Sequence, residues 1–226
     1  MSENPNKGHR MRLRERFIKA GLEAFAPHEV LELLLFYAIP QRDTKPLAKR
    51  MIDEFGGLPA IFETDPTTLM QRTGVTENVA VYLSMMSQLF GRYHREKYPK
   101  TIKFINSYEM KEYAKVLFIG KTVECFYLIC LDNAHNMRAC ELIAEGDIDQ
   151  VELHPRKIVE RATAHRATNL ILAHNHPSGQ AHVTRADLVT TANLVDIFRP
   201  FNIRIVDHII IAGDAAISLA ENGYMG

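Results

Sequence analysis

The chain has 226 residues, 46% of them hydrophobic and 24% charged, and its 27 basic side chains balance its 27 acidic ones. This is the composition of a soluble globular protein, long enough for one large domain or two small ones, with no internal repeat or low-complexity segment; two small domains are expected. No apolar run approaches the roughly 20 residues of a membrane span and no hydrophobic signal segment opens the chain, so a cytoplasmic protein without membrane contact is expected.

In chain order, hydrophobic periodicity predicts short helices over residues 9–20, 27–38, 45–54 and 66–72, then a longer one over 78–98. In the second of these, Leu31, Leu34, Leu35 and Ala38 share one face. Gly21, Pro40, Gly56-Gly57 and Gly74 punctuate the junctions, the pattern of an all-helical domain. Its opening segment is basic: Lys7, Arg10, Arg12, Arg14, Arg16 and Lys19 face only Glu15. Such a cluster reads either as a solvated helix face or as a surface making weak, salt-sensitive contact with phosphates or an acidic partner. Tyr98-Pro99-Lys100-Thr101 ends the helical block and sets the expected boundary, with a helical domain over 1–100 and a second domain over 101–226.

Beyond that boundary helices and strands alternate. A helix is expected over 108–118 and a strand over 123–131; a turn at Asp132-Asn133 and a returning strand over 137–143 complete a hairpin. A helix over 154–167, a strand over 169–174, a helix over 187–199 and strands over 203–212 and 217–220 follow, giving an α+β fold whose mixed sheet is flanked by helices. Cys125, Cys130 and Cys140 lack a Cys-x-x-Cys spacing, and two of them lie in apolar runs, so they read as reduced core residues.

The most telling stretch is Ala173-His174-Asn175-His176-Pro177-Ser178-Gly179, with Thr184 and Asp187 after it. Side chains at i and i+2 of a strand point to the same face, so His174 and His176 present two imidazoles side by side, as a divalent metal requires. Pro177 and Gly179 break the strand, and the helix opening near Thr184 returns the Asp187 carboxylate toward the strand end as a third ligand. Three N/O ligands leave a fourth position for water, the arrangement of a catalytic zinc site. Two histidines at a strand end also serve as ordinary hydrogen-bonding residues, but the added carboxylates and hydroxyl supply what metal-assisted hydrolysis needs.

The pattern His-x-His, seven residues, Ser or Thr, two residues, Asp, with a Glu about fifty residues upstream, resembles the JAMM/MPN metalloproteases, and His174-Asn175-His176-Pro177-Ser178-Gly179 is similar to their RadC-like branch. Gly8-His9-Arg10, residues 31–43 and Thr44-Lys45-Pro46 resemble that branch too, so the likeness covers nearly the whole chain. The resemblance implies a JAMM/MPN-type domain over 101–226 that binds one zinc per chain through His174, His176 and Asp187. It puts Glu124 in the place of the general base, and Thr184 where the family usually has an oxyanion-stabilising Ser. Threonine keeps the hydroxyl but adds a methyl and a stiffer χ1.

The implied reaction is zinc-dependent hydrolysis of peptide or isopeptide bonds in a protein or peptide substrate. Zinc would lower the pKa of its water to about 7 and polarise the scissile carbonyl. Glu124 sits among Val123, Phe126 and Tyr127, an apolar setting that raises a carboxylate's pKa toward the range of a proton shuttle. Its other reading is a surface residue at a strand start. Thr184 reads equally as an oxyanion donor and as a helix N-cap. His182 reads as a loop residue or a competing ligand, and Asp207-His208 as core residues or as a pair supporting a ligand.

Two other functions compete. The segment 55–83 resembles a helix-hairpin-helix module, which grips nucleic-acid phosphate at a helix N-terminus. Gly74-Val75-Thr76-Glu77, however, lacks the second glycine and places a negative charge where phosphate would sit. The other is a non-catalytic partner protein that keeps the fold. Barrel amidohydrolases are excluded because only some fifty residues follow the His pair. Zinc deaminases and His-Glu-x-x-His zincins are excluded by their missing motifs, and HNH nucleases because their three letters stand far apart in the chain.

Overall fold

The computed structural model describes residues 8–98, 102–146 and 154–225. The chain divides into two compact units between Leu89 and Phe90, within its longest helix. Lys7 and the boundary residues Pro99, Lys100 and Thr101 lie outside the described residues. No described helix is long and apolar enough to cross a membrane.

The first unit is built from α1 (His9–Ala20), α2 (Pro27–Ala38), α3 (Lys45–Phe55), α4 (Leu58–Glu63), α5 (Pro66–Thr73) and the start of α6 (Glu77–Lys97). Proline occupies the first turn of α2 through α5, where its missing N–H has no intrahelical partner in any case. Asp65 caps α5 by accepting from the Thr68 N–H at 3.0 Å. The core gathers Leu31, Leu35, Met51, Ile61, Leu69 and Leu83, with the predicted α2 face completed by Leu34 and Ala38 at its edge. The helix α4 was not among the expected elements. At six residues it is too short to show a period, and it follows the Gly56-Gly57 break directly.

The basic face of α1 is largely engaged by the fold. The Arg10 guanidinium donates to the carbonyls of Phe36, Ile39 and Pro40 at 3.2, 2.6 and 2.7 Å, satisfying carbonyls at the C-terminal end of α2. Arg16 pairs with Glu29 at 2.7 Å, and Arg14 lies over the Tyr37 ring. Beneath them His9 Nε2 meets Oε1 of the buried Glu32 at 2.9 Å.

The second unit contains α7 (Ser107–Phe118), β1 (Cys125–Leu131), β2 (Met137–Glu145), α8 (Pro155–Ala164), β3 (Asn169–Asn175), α9 (Arg185–Phe198), β4 (Arg204–Ala212) and β5 (Ala215–Ser218). The sheet order is β2-β1-β3-β4-β5, with β3 and β4 parallel and the other neighbours antiparallel. The expected hairpin forms, with Asp132 Oδ1 accepting from the N–H groups of Ala134 and Asn136 in its turn. The helix expected over 154–167 stops at Ala164, because Arg166 takes a positive φ of 50°. The last strand lies at Ala215–Ser218, two residues before its expected start.

Both β1 and β3 are buried along their whole length. Strand alternation splits their side chains between two cores. Tyr127, Ile129, Ile171, Ala173, Ile209 and Ile211 pack on α7, whereas Phe126, Leu128, Cys130, Leu170 and Leu172 pack with Ile158 and Ala162 of α8 and Leu194 and Phe198 of α9. Each fully buried aliphatic side chain contributes about 1.5–3 kcal/mol, so a one-residue slip of β3 would exchange its two faces at prohibitive cost. This register, with its irregularity between Leu170 and Ile171, puts the even-numbered residues of β3, and those of β4 from His208 onward, on the α9 side.

Candidate metal centre

The site lies where β3 ends and α9 begins, at the carboxyl ends of the parallel pair, where open sheets present their ligand crevices. His174 is on the α9 face of β3, 3% exposed, opposite Ile210 of β4 and Phe126 of β1. The Phe126 ring stacks on it at 6.4 Å between centroids with an interplanar angle of 13°. His176 lies just past the strand, but its N–H still donates to the Ile211 carbonyl at 2.7 Å, so it keeps the ladder's geometry and points the same way as His174. The chain then turns through Gly179, whose φ of 72° suits glycine.

Thr184 is the N-cap of α9. Its hydroxyl accepts from the Asp187 N–H at 3.1 Å, and its own N–H donates to Asp187 Oδ2 at 2.7 Å, a reciprocal box that aims the carboxylate back at the strand end. Asp187 Oδ1 lies 3.0 Å from His174 Nε2, Asp187 Oδ2 lies 3.7 Å from His176 Nε2, and the two imidazole Nε2 atoms are 3.0 Å apart. Burial alone would raise the Asp187 carboxyl. The hydrogen bond and charge of His174 and the Thr184 bonds outweigh it and hold the group well below the ordinary carboxylate range.

Two imidazole nitrogens and a carboxylate this close need a shared cation or proton between them. In a tetrahedron with ligand bonds of about 2.0–2.1 Å, donor atoms lie about 3.3 Å apart. The two imidazole nitrogens are 3.0 Å apart and lie 3.0 and 3.7 Å from different oxygens of the Asp187 carboxylate, so the donor set fits zinc in chemistry and gathers its groups at close to that spacing.

Glu124 immediately precedes β1 and continues the face of Phe126. Its carboxylate lies within 4.8 Å of ring nitrogens of His174 and His176, a group able to hold a metal ion. Its backbone is pinned from both sides. Gly146 N–H donates to the Glu124 carbonyl at 2.8 Å, while Asn175 accepts from Cys125 N–H at 2.7 Å and donates to the Val123 carbonyl at 3.1 Å. Sequence reasoning missed this use of Asn175. Its signal was the odd position between the two histidines, where a strand residue faces away from them.

His208 supports His174 from behind, its Nε2 2.7 Å from His174 Nδ1 and its Nδ1 2.6 Å from Thr191 Oγ1. Burial, then the charge of His174, drives its pKa well below the usual histidine range, so the ring is neutral. Asp207, its expected companion, takes no part, because the strand turns it to the opposite face. There it accepts from the Ser218 hydroxyl at 2.6 Å and the Ala220 N–H at 3.1 Å. His182 is exposed, with its ring centroid 5.8 Å from that of His176. Ser178 accepts from the Gln180 N–H at 3.4 Å and shapes the turn.

The site opens into a cleft of about 810 Å³ lined by Glu124, His174, His176, Thr184 and Asp187 and by the apolar Phe126, Leu194 and Ile197. That size lies within the range of ligand-binding clefts.

A mixed sheet with helices on both faces and a histidine pair beside an N-capping helix belongs to the α+β folds, and its second unit is the JAB/MPN type. Residues 104–224 match the RadC-like JAB domain. The chain is 31% identical over 230 residues to a UPF0758 protein of Fusobacterium nucleatum, covering 99% of both. It is also 32% identical to a UPF0758 protein of Rhodobacter capsulatus, covering 94% of this chain and 100% of the relative, and 32% identical to one of Vibrio parahaemolyticus, covering 94% and 95%. The chain belongs to the RadC-like branch of the JAB/MPN family.

Proposed function

We propose that the protein is a zinc-dependent hydrolase of peptide or isopeptide bonds, cytoplasmic, with one zinc per chain held by His174, His176 and Asp187. The observation that carries this reading is the approach of His174 Nε2, His176 Nε2 and the Asp187 carboxylate to within 3.0–3.7 Å of one another at the mouth of a cleft. When bound, zinc supplies Lewis acidity toward a carbonyl and lowers the pKa of water to about 7.

This chain's own residues do the rest. Glu124, over the same two imidazoles, takes a proton from water and returns it to the leaving amine. The Thr184 oxygen already accepts from Asp187 N–H, so its hydroxyl proton is left to donate to an oxyanion. The N-cap and oxyanion roles of Thr184 are therefore compatible. Phe126 and Asp187 keep the His174 ring from turning. The apolar wall of Leu194 and Ile197 excludes water from one side of the cleft and favours an apolar side chain of the substrate.

The competing nucleic-acid reading has less support, because Arg10, Arg14 and Arg16 are engaged within the first unit.

The test is Glu124→Gln, assayed after a peptide and isopeptide library has revealed zinc-dependent cleavage by the unmodified protein. The expected result is unchanged zinc content with turnover lowered by about 10²- to 10⁴-fold. Loss of zinc from the Gln variant would make Glu124 a ligand and overturn the assigned roles.

A further inference from the structure

We propose that Asn175 positions Glu124, by bridging an opening in the sheet with its side-chain amide. The assignment rests on the reading of Glu124 as the proton carrier, but the bridge itself depends on neither metal nor substrate.

The sheet opens where the site lies. β1 pairs with β3 from Leu131 opposite Asn169 to Phe126 opposite His174, and the pairing ends there. One residue further, Cys125 is opposite Glu145 of β2 and Asn175 is opposite Ile211 of β4, so each central strand keeps only its outer neighbour. The Asn175 amide spans the opening. Its Oδ1 accepts from the Cys125 N–H at 2.7 Å and its Nδ2 donates to the Val123 carbonyl at 3.1 Å. An N–H can only donate and a carbonyl can only accept, so these two partners fix which way the amide faces. A side-chain amide offers the same donor and acceptor as a peptide group, so it replaces the missing rung of the ladder while leaving the strands apart.

The two backbone groups it holds belong to the residues on either side of Glu124. On the β2 side the Gly146 N–H donates to the Glu124 carbonyl at 2.8 Å, so the segment is tied to both neighbouring strands. Asn175 is 5% exposed and Cys125 is fully buried, so water does not take the place of the amide. Strand alternation turns His174 and His176 to the site and leaves Asn175 free to reach sideways. Three consecutive residues therefore carry both imidazoles and the tie that sets the carboxylate over them. Aspartate would keep the acceptor and lose the donor, and leucine would lose both. Asn175 touches no reacting atom and is a positioning residue.

The test has two arms, both on the full-length protein. In the first, ¹⁵N-labelled and zinc-free, the Cys125 amide should be protected from hydrogen exchange and the Glu124 amide should be rigid, with an order parameter of about 0.85. Asn175→Leu should speed exchange at Cys125 about tenfold and lower the Glu124 order parameter toward about 0.6, while Ile129 and Ile171 at the centre of the sheet keep their protection. Should Asn175→Leu fail to fold, Asn175→Asp is the second variant; it should leave Cys125 protected and still loosen Glu124. A Glu124 amide that stays equally rigid in the folded variants would overturn the proposal. In the second arm, with a substrate found by library screening, Asn175→Leu should lower kcat about 10- to 100-fold at unchanged KM and zinc content. In a Glu124→Gln background the same change should cost little more, because Asn175 acts through Glu124. Losses that multiply in the double variant would assign Asn175 a general structural role and refute the proposal. If the unmodified protein cleaves nothing, the functional reading fails, and the first arm still decides whether Asn175 holds Glu124.

Discussion

Gly91 shows how much a single position can hold. It lies inside α6, where alanine would ordinarily be favoured by about 1 kcal/mol. A Cβ built there would collide with the Ile119 carbonyl oxygen, a backbone atom that cannot swing aside. Gly91→Ala should therefore destabilise the second unit by about 1–3 kcal/mol, as overpacking does. Thermal unfolding would measure it, and a raised midpoint would contradict the close approach. The histidine site is likewise set atom by atom. The His-x-His spacing, the Thr184 cap and the place of Asp187 were legible in the sequence because each depends on neighbours within a few residues. The partnerships of His174 with His208 and of Glu124's segment with Asn175 were not, since they span 34 and 50 residues and depend on which strands lie side by side.

At the scale of elements, helix boundaries followed local chemistry. Pro27, Pro66 and Gly74 stand at the junctions that proline and glycine preferences predict. The capping of α5 has a pH signature. Hydrogen bonds from Thr68 hold the Asp65 carboxyl below its ordinary value. A carboxyl lowered in the folded state contributes stability that is present above the unfolded pKa, about 3.9, and lost as pH falls through the folded value. Asp65→Ala should cost roughly 1 kcal/mol at pH 7, and the gap to the unmodified protein should narrow below about pH 4. Urea unfolding of the N-terminal helices at pH 7 and pH 3 would check this; an equal gap at both pH values would mean that Asp65 acts without its charge. The missed helix α4 and the early end of α8 show where local reading stops. Six residues carry no period, and the left-handed Arg166 is not a residue type that announces a turn.

At the scale of the molecule, the sheet decides which residues can meet. The split of β1 and β3 into two buried faces puts Glu124, His174, His176 and His208 on the side covered by α9, and sends Asp207 to the other. The fold class could be read from alternating helices and strands. The strand order β2-β1-β3-β4-β5, and with it the pairing of Leu172 with His208, could not, because period and propensity do not specify lateral neighbours. Two continuous apolar cores, with the candidate ligands at a strand end between them and the solvent, imply that metal does not fold this unit. Chelation should leave the circular dichroism spectrum of the protein intact, and collapse of the second unit would instead mark a structural site.

The central claim is tested most directly by the metal content of the full-length protein, purified without an affinity tag or added metal and then equilibrated with micromolar zinc. The account predicts one zinc per chain, lost in His174→Ala/His176→Ala and in Asp187→Ala while both variants remain folded. A chain that takes up no zinc, or a double variant that keeps it, would contradict the account.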